Sequence, residues 1–310
     1  MAAGTSHDLA VCSGEFTLPR HADLALLRDA LARAPRLLVL LTAARLPRSP
    51  RHPFGWEERA AVLREALPPA DRARVAFAPL RTRPQADRMA AQARRAVETE
   101  AGGAARVLRL RSDAADFPTP AGWDEAAAPQ AAESLDALRE RLWTSDTPDA
   151  ALAALAPQVP EAVLRFLGGW LRTPDHRRLR EEWEQIAREK AAWSVAPYPV
   201  VLVTVDVVAR AAGHVLLIRR GRAPGLGLRA LPGGFLDVDE TVYQSALREL
   251  SEETGLVIGA DALRAVQVFD DPQRSQRGRV VTHADLFRLP RSVAAAVPGG
   301  TQPRLRLHHG

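Results

Sequence analysis

The 310-residue chain has one cysteine, Cys12, which excludes an internal disulfide framework and fits a reducing, cytoplasmic setting. No apolar run approaches the length of a membrane span, and residues 1–7 lack the basic and apolar regions of a secretory leader. Neither export nor a membrane partner is expected. Lysine is rare and no dense Lys/Arg block occurs. The formal net charge of +5 rests on arginines spread over many segments, so no nucleic-acid partner is expected. Acidic residues run out early: no Glu follows Glu253 and no Asp follows Asp285. Chemistry that needs carboxylates must therefore lie upstream of these positions. No internal repeat is visible. What remains is ordinary globular composition, 46% hydrophobic and 25% charged, in a chain long enough for two domains.

The first half alternates strand and helix patterns. Residues 36–42 (RLLVLLT) are a continuous apolar run, as in a buried parallel strand. Helical patterns at 23–34, 56–66 and 85–100 interleave with strand patterns at 74–79 and 106–110, which predicts a parallel α/β sheet. Residues 113–130 read as a loop. Helices are expected at 132–143 and 161–170, then a charged connecting helix over 179–190. A second composition starts at Pro197-Tyr198-Pro199. Residues 200–208 (VVLVTVDVV) and 215–219 read as a hairpin about Gly213-His214, with later strands at 266–269 and 279–289. The expected organisation is residues 1–175, a linker over 176–196, and residues 197–310.

The densest pattern lies at 234–256. Gly234 is followed after five residues by Glu240, and after seven more by Arg248-Glu249-Leu250-Ser251-Glu252-Glu253-Thr254-Gly255-Leu256. Pro232-Gly233-Gly234 signals a turn. From 241 to 253 the period is helical: Tyr243, Ala246, Leu247 and Leu250 form a buried stripe, and Gly255 stops the helix. Glu249, Glu252 and Glu253 share another face. Three carboxylates there repel unless a positive charge lies among them, and hard divalent cations take oxygen ligands and bridge to phosphates.

This spacing resembles the Nudix box, with every fixed position filled. The resemblance implies an α/β/α sandwich around a mixed sheet, and Mg²⁺- or Mn²⁺-dependent hydrolysis of a nucleoside diphosphate linked to another group. It assigns metal binding to Glu249, Glu252 and Glu253, and the orienting of a carboxylate, Glu240, to Arg248. Gly233 and Gly234 become the turn at the metal site. TVDVV, GHVLLIRRG, ALPGGF and FDDPQRSQRGR further resemble the hydrolase half of bifunctional nicotinamide-mononucleotide adenylyltransferase/ADP-ribose pyrophosphatases. That implies cleavage of ADP-ribose to AMP and ribose 5-phosphate, in NAD-related metabolism. Arg219, Arg274, Arg277 and Arg279 are candidate substrate contacts, since a guanidinium fork meets phosphate oxygens bidentately. Leu228-Arg229 stands where that family has an aromatic residue. His283 reads as packed rather than ligating, and Cys12 as structural.

The first half resembles the Rossmann-like adenylyltransferase half of the same family, but its signature is degenerate. Gly14-Glu15-Phe16-Thr17-Leu18-Pro19-Arg20-His21-Ala22-Asp23 puts Arg20 and Asp23 where the family has phosphate-contacting histidines. The segment 111–118 has mostly lost its motif, and the Ser134–Arg139 motif keeps Arg139. No adenylyltransferase activity is expected. Alternatives are a nucleotide-binding sensor without turnover and a bifunctional enzyme that keeps adenylyltransferase activity. After Gly300 the likeness stops, so the Nudix half is expected to be shortened, with residues 301–310 outside regular structure. No residue after the box can serve as the family's loop glutamate base. A homodimer is compatible with these features.

Overall fold

The computed structural model describes residues 7–82, 85–111, 117–127, 134–290 and 306–309. The chain divides into two compact units, Met1–Arg180 and Glu181–Gly310.

In the first unit five parallel strands lie in the order β3-β2-β1-β4-β5: β1 Leu9–Gly14, β2 Leu37–Leu41, β3 Val75–Pro79, β4 Val107–Arg111 and β5 Asp124–Ala127. Side chains alternate across a strand, so each strand feeds two cores. Ala10, Cys12, Leu37, Val39 and Leu41 pack against α1 (His21–Arg33) and α2 (Trp56–Ala66). Leu9, Val11, Leu38 and Leu40 pack against Met89, Ala93 and Val97 of α4 (Ala86–Ala101), which follows the short α3 (Pro69–Arg72). This is the Rossmann-like layering that the alternation of patterns predicts. Helices α5 (Leu135–Thr144), α6 (Pro148–Leu155) and α7 (Glu161–Trp170) follow, and α8 (Pro174–Trp193) runs into the second unit. Cys12 is fully buried and its thiol is pushed well up by desolvation, as a structural cysteine requires.

The second unit holds a mixed sheet in the order β10-β11-β6-β7-β12, with β8 on β7 and β9 on β6. Its strands are β6 Val201–Ala211, β7 His214–Arg219, β8 Arg229–Ala230, β9 Gly233–Phe235, β10 Leu263–Phe269, β11 Arg279–Arg288 and β12 Arg306–His309. β6 and β11 run parallel over ten paired positions; the other pairings are antiparallel. Helix α9 (Val242–Thr254) buries Ala246 and Leu250 against Val205, Val207, Ala209 and Phe287, with Tyr243 and Leu247 alongside. Thr241 caps it, accepting from Gln244 N at 3.2 Å while Thr241 N donates to Gln244 Oε1 at 2.9 Å. Gly255 closes it in the left-handed region at φ 74°.

Two expectations need correction. The segment expected as loop contains β5. The tail was expected outside regular structure, yet Arg306–His309 pair with β7 from Leu217 to His214. The unpaired backbone of β7 offers a ladder to any extended segment, which the tail supplies.

Candidate active site

The site grows from the turn between β9 and α9. Gly233 and Gly234 pair with Asp206 and Val205 of β6. A Cβ at Gly233 would stand 2.2 Å from the Val205 carbonyl oxygen, and one at Gly234 would stand 2.2 Å from Glu249 Oε1. At Gly233 only glycine lets the turn come this close to the β6 backbone, and at Gly234 a side chain would displace the Glu249 carboxylate. Gly233 N donates to Glu253 Oε2 at 2.9 Å. One turn thus meets two of the helix carboxylates.

Arg248 organises the rest. Its Nε donates to Glu240 Oε1 at 2.8 Å, and its Nη1 to Glu249 Oε1 at 2.9 Å and Glu252 Oε2 at 3.3 Å. Its charged form is reinforced first by Glu240 and then by Glu249, and Glu240 is in turn held below the ordinary carboxylate range by Arg248. Glu253 is shifted the other way: desolvation raises it, the Gly233 N–H opposes that, and the Glu249 charge adds to the rise. The positive charge required among the helix carboxylates is supplied here by Arg248.

These residues line an open cleft of about 1070 Å³, with Glu249, Glu252, Glu253, Arg248, Gly233 and Gly234 on one side. Arg219, Arg274 and Arg277 also line it. Arg277 lies over the Phe235 ring, 4.9 Å from its centroid. Arg279 is placed differently: its guanidinium holds the Asp270 carbonyl and it is not among the lining residues. Glu240 acts on the cleft through Arg248.

Several lining residues were not singled out from the sequence. Asp206 of β6 is within 3.8 Å of Arg274, and burial raises its carboxyl against the opposing charges of Arg274 and Arg220. A Cβ at Gly233 would stand 2.9 Å from Asp206 Oδ1, so this carboxylate borders the turn. The signal was a charged residue inside a β-branched run, on the face it shares with Thr204. Gln185 and Glu189 of α8 also line the cleft, Glu189 lying 3.9 Å from Arg277. Nothing in their local sequence links them to it.

The glutamates fit a divalent cation by their oxygen chemistry and by the glycine turn, which leaves free the space a Cβ would fill beside Glu249. Among the described residues no three acidic, His or Cys groups already converge as a metal cluster. Arg248 and Gly233 N–H hold the carboxylates instead.

In the first unit Arg20 and Asp23 satisfy each other: Arg20 N and Nε donate to Asp23 Oδ2 at 2.8 and 2.9 Å, and Nη2 to Oδ1 at 2.8 Å. His21 is exposed. Beyond the end of β1, Glu15 receives the buried Arg139, whose other nitrogen donates to Asp136 at 2.8 Å. Arg59 donates to Thr42 O at 2.9 Å, and burial pushes the neighbouring His52 down to about 4. The segment 112–116 lies outside the described residues.

Residues 201–301 match the NUDIX domain, and the second unit of this chain is a Nudix domain. Over nearly its whole length the chain is similar to the bifunctional NMN adenylyltransferase/ADP ribose pyrophosphatase of Francisella tularensis, solved with AMP and a manganese ion. Identity is 25% and the TM-score 0.80, covering 97% of this chain and 88% of that one. The ADP-ribose pyrophosphatase of Methanocaldococcus jannaschii is 40% identical over 80 residues, 26% of this chain and 46% of that protein. The ADPR responsive transcriptional repressor NtrR of Acinetobacter baylyi is 36% identical over 98 residues, 30% of this chain and 38% of that protein. The chain thus spans less than half the length of these curated relatives.

Proposed function

We propose that the Nudix unit hydrolyses the pyrophosphate of ADP-ribose, or of a closely related nucleoside diphosphate derivative. The products from ADP-ribose would be AMP and ribose 5-phosphate. The observation that carries this reading is the glycine turn facing Glu249 and Glu253 in a cleft also lined by Arg219, Arg274 and Arg277. Glu249, Glu252 and Glu253 would hold Mg²⁺ or Mn²⁺, which polarises the phosphoryl oxygens and acidifies a water. Arg248 keeps Glu249 and Glu252 aimed and Glu240 keeps Arg248 in place. The cleft arginines neutralise the two phosphates. Water adds across the bridge: its oxygen bonds to phosphorus, one bridging P–O bond breaks, and a proton leaves. Asp206 is our choice of acceptor for that proton. It borders the turn, and burial brings its basicity toward that of a working base.

The first unit, in this reading, makes no NAD, because Arg20 and Asp23 spend their charges on each other. The partner is a small nucleotide, with no nucleic acid and no membrane. Among the described residues no helix is long and apolar enough to cross one.

A second reading has its own support. With Arg248 tied to Glu249 and Glu252, no three acidic, His or Cys groups among the described residues converge as a metal cluster, which suits a sensor that binds the nucleotide without turnover. Incubation of the full chain with Mg²⁺ and ADP-ribose, ADP-sugars, NAD or NADH separates the two. AMP release supports hydrolysis; saturable binding of ADP-ribose with no AMP supports the sensor and removes the hydrolase.

A further inference from the structure

Arg277 is held from two sides while its hydrogen-bonding capacity stays uncommitted. Its guanidinium lies over the Phe235 ring, 4.9 Å from the centroid, and its Nε is 3.9 Å from Glu189 Oε2. The second contact is an ion pair too long for a hydrogen bond. Among the described residues no acceptor takes any of its side-chain N–H donors. Burial pushes Arg277 below the ordinary guanidinium range, Glu189 opposes that, and Arg220 adds to the fall. A half-buried guanidinium with an open fork therefore lines the cleft.

Glu189 enters the same cleft from α8. Glu182, Gln185, Ile186 and Glu189 recur at i, i+3, i+4 and i+7, one face of that helix, and Ile186 is buried. Gln185 Nε2 donates to Glu189 Oε1 at 3.0 Å, and Arg188 Nη2 donates to Gln185 Oε1 at 3.0 Å. One oxygen of Glu189 is thus fixed and the other is turned to Arg277. A carboxylate in a cleft built for a diphosphate repels the substrate, so its presence needs another purpose. Asp206 and Arg274 repeat the arrangement at 3.8 Å, with the carboxylate supplied by β6.

We propose that Glu189 is a positioning residue, which with the Phe235 ring holds Arg277 ready for the substrate's phosphate oxygens. The binding machinery of the Nudix unit then includes a residue of α8, outside the matched domain at 201–301. The proposal rests on the diphosphate reading of the cleft. Phe235 lines the cleft and directly follows Gly234, the residue that faces Glu249, so a guanidinium laid on its ring belongs beside the metal-holding turn. Glu189 itself touches no substrate; it acts through Arg277.

The test measures KM and kcat for ADP-ribose with Mg²⁺ in the full chain, in Glu189→Gln, in Arg277→Ala and in the double variant. Glu189→Gln should raise KM roughly tenfold with little change in kcat. A carboxylate acting only as a bare charge predicts the opposite sign, because its removal would favour an anionic substrate. Arg277→Ala should raise KM at least as far, and Glu189→Gln added to it should bring no further loss. All variants should melt as the parent does. An unchanged or lower KM in Glu189→Gln overturns the proposal, and so does a further loss in the double variant. A parent that releases no AMP removes the hydrolase reading alone. Calorimetric binding of ADP-ribose to the same proteins then decides the role of Glu189, by the same pattern of losses.

Discussion

Gly233 donates its backbone N–H to Glu253 Oε2 at 2.9 Å, tying the turn before α9 to the carboxylate at the far end of that helix. The next residue, Gly234, lies against Glu249, one helical turn earlier. Two successive glycines therefore meet two carboxylates spaced i, i+4 on one helix face. The turn positions the acidic face, and the burial of Ala246 and Leu250 fixes the helix that carries it.

The two glycines should fail differently when each becomes alanine. At Gly233 the added Cβ meets the Val205 carbonyl at 2.2 Å, which is backbone and cannot swing aside. Gly233→Ala should lower the melting temperature by forcing β9 from β6. At Gly234 the obstacle is the tip of Glu249, which can rotate away. Gly234→Ala should keep the fold and lose roughly tenfold or more in turnover, because a displaced ligand misplaces the metal. Melting curves and AMP release on both variants check this; equal effects in the two would contradict it.

Stability should also depend on Asp285. It is 1% exposed, neither carboxylate oxygen has a hydrogen-bond partner among the described residues, and desolvation raises its pKa above the ordinary value of 3.8 against the opposing charge of His283. A raised carboxyl means that the folded state binds the proton more tightly than the unfolded state. The protonated acid's contribution is complete below 3.8 and is lost as pH rises through the folded value. Asp285→Asn removes this ionisation-linked loss, so the variant should melt higher than the parent at neutral pH. The gap should close toward pH 4. A gap independent of pH would count against the assignment.

No NAD should form from nicotinamide mononucleotide and ATP. Arg20 and Asp23 neutralise each other, and Glu15 occupies the guanidinium of Arg139. Chromatography of the reaction mixture would check this, and NAD formation abolished by His21→Ala would show that the exposed His21 serves where Arg20 and Asp23 do not.

Much of this molecule is legible in the sequence because local rules and tertiary structure agree. The run Leu37–Leu41 is apolar on both faces, and the strand it forms is buried on both. The helix over α9 announces itself through Thr241, its apolar stripe and Gly255. What was missed depends on distance. Glu189 reaches the cleft from a helix far upstream in the chain. β5 (Asp124–Ala127) is a strand because β4 offers a free ladder, and its own residues carry no strand signal. The tail strand Arg306–His309 likewise takes its conformation from β7. Asp206 was within reach: a charged residue in a β-branched run needs a reason, and the cleft provides one.

The central claim is that Glu253 and its two companions hold the metal that makes the Nudix unit a hydrolase. AMP release from ADP-ribose, followed as Mg²⁺ is titrated into the parent and into Glu253→Gln, tests it most directly. The parent should release AMP only with the metal, and Glu253→Gln should be slower by about 10²-fold or more while melting as the parent does. A parent that releases no AMP at any metal concentration, or a Glu253→Gln chain as fast as the parent, would contradict it.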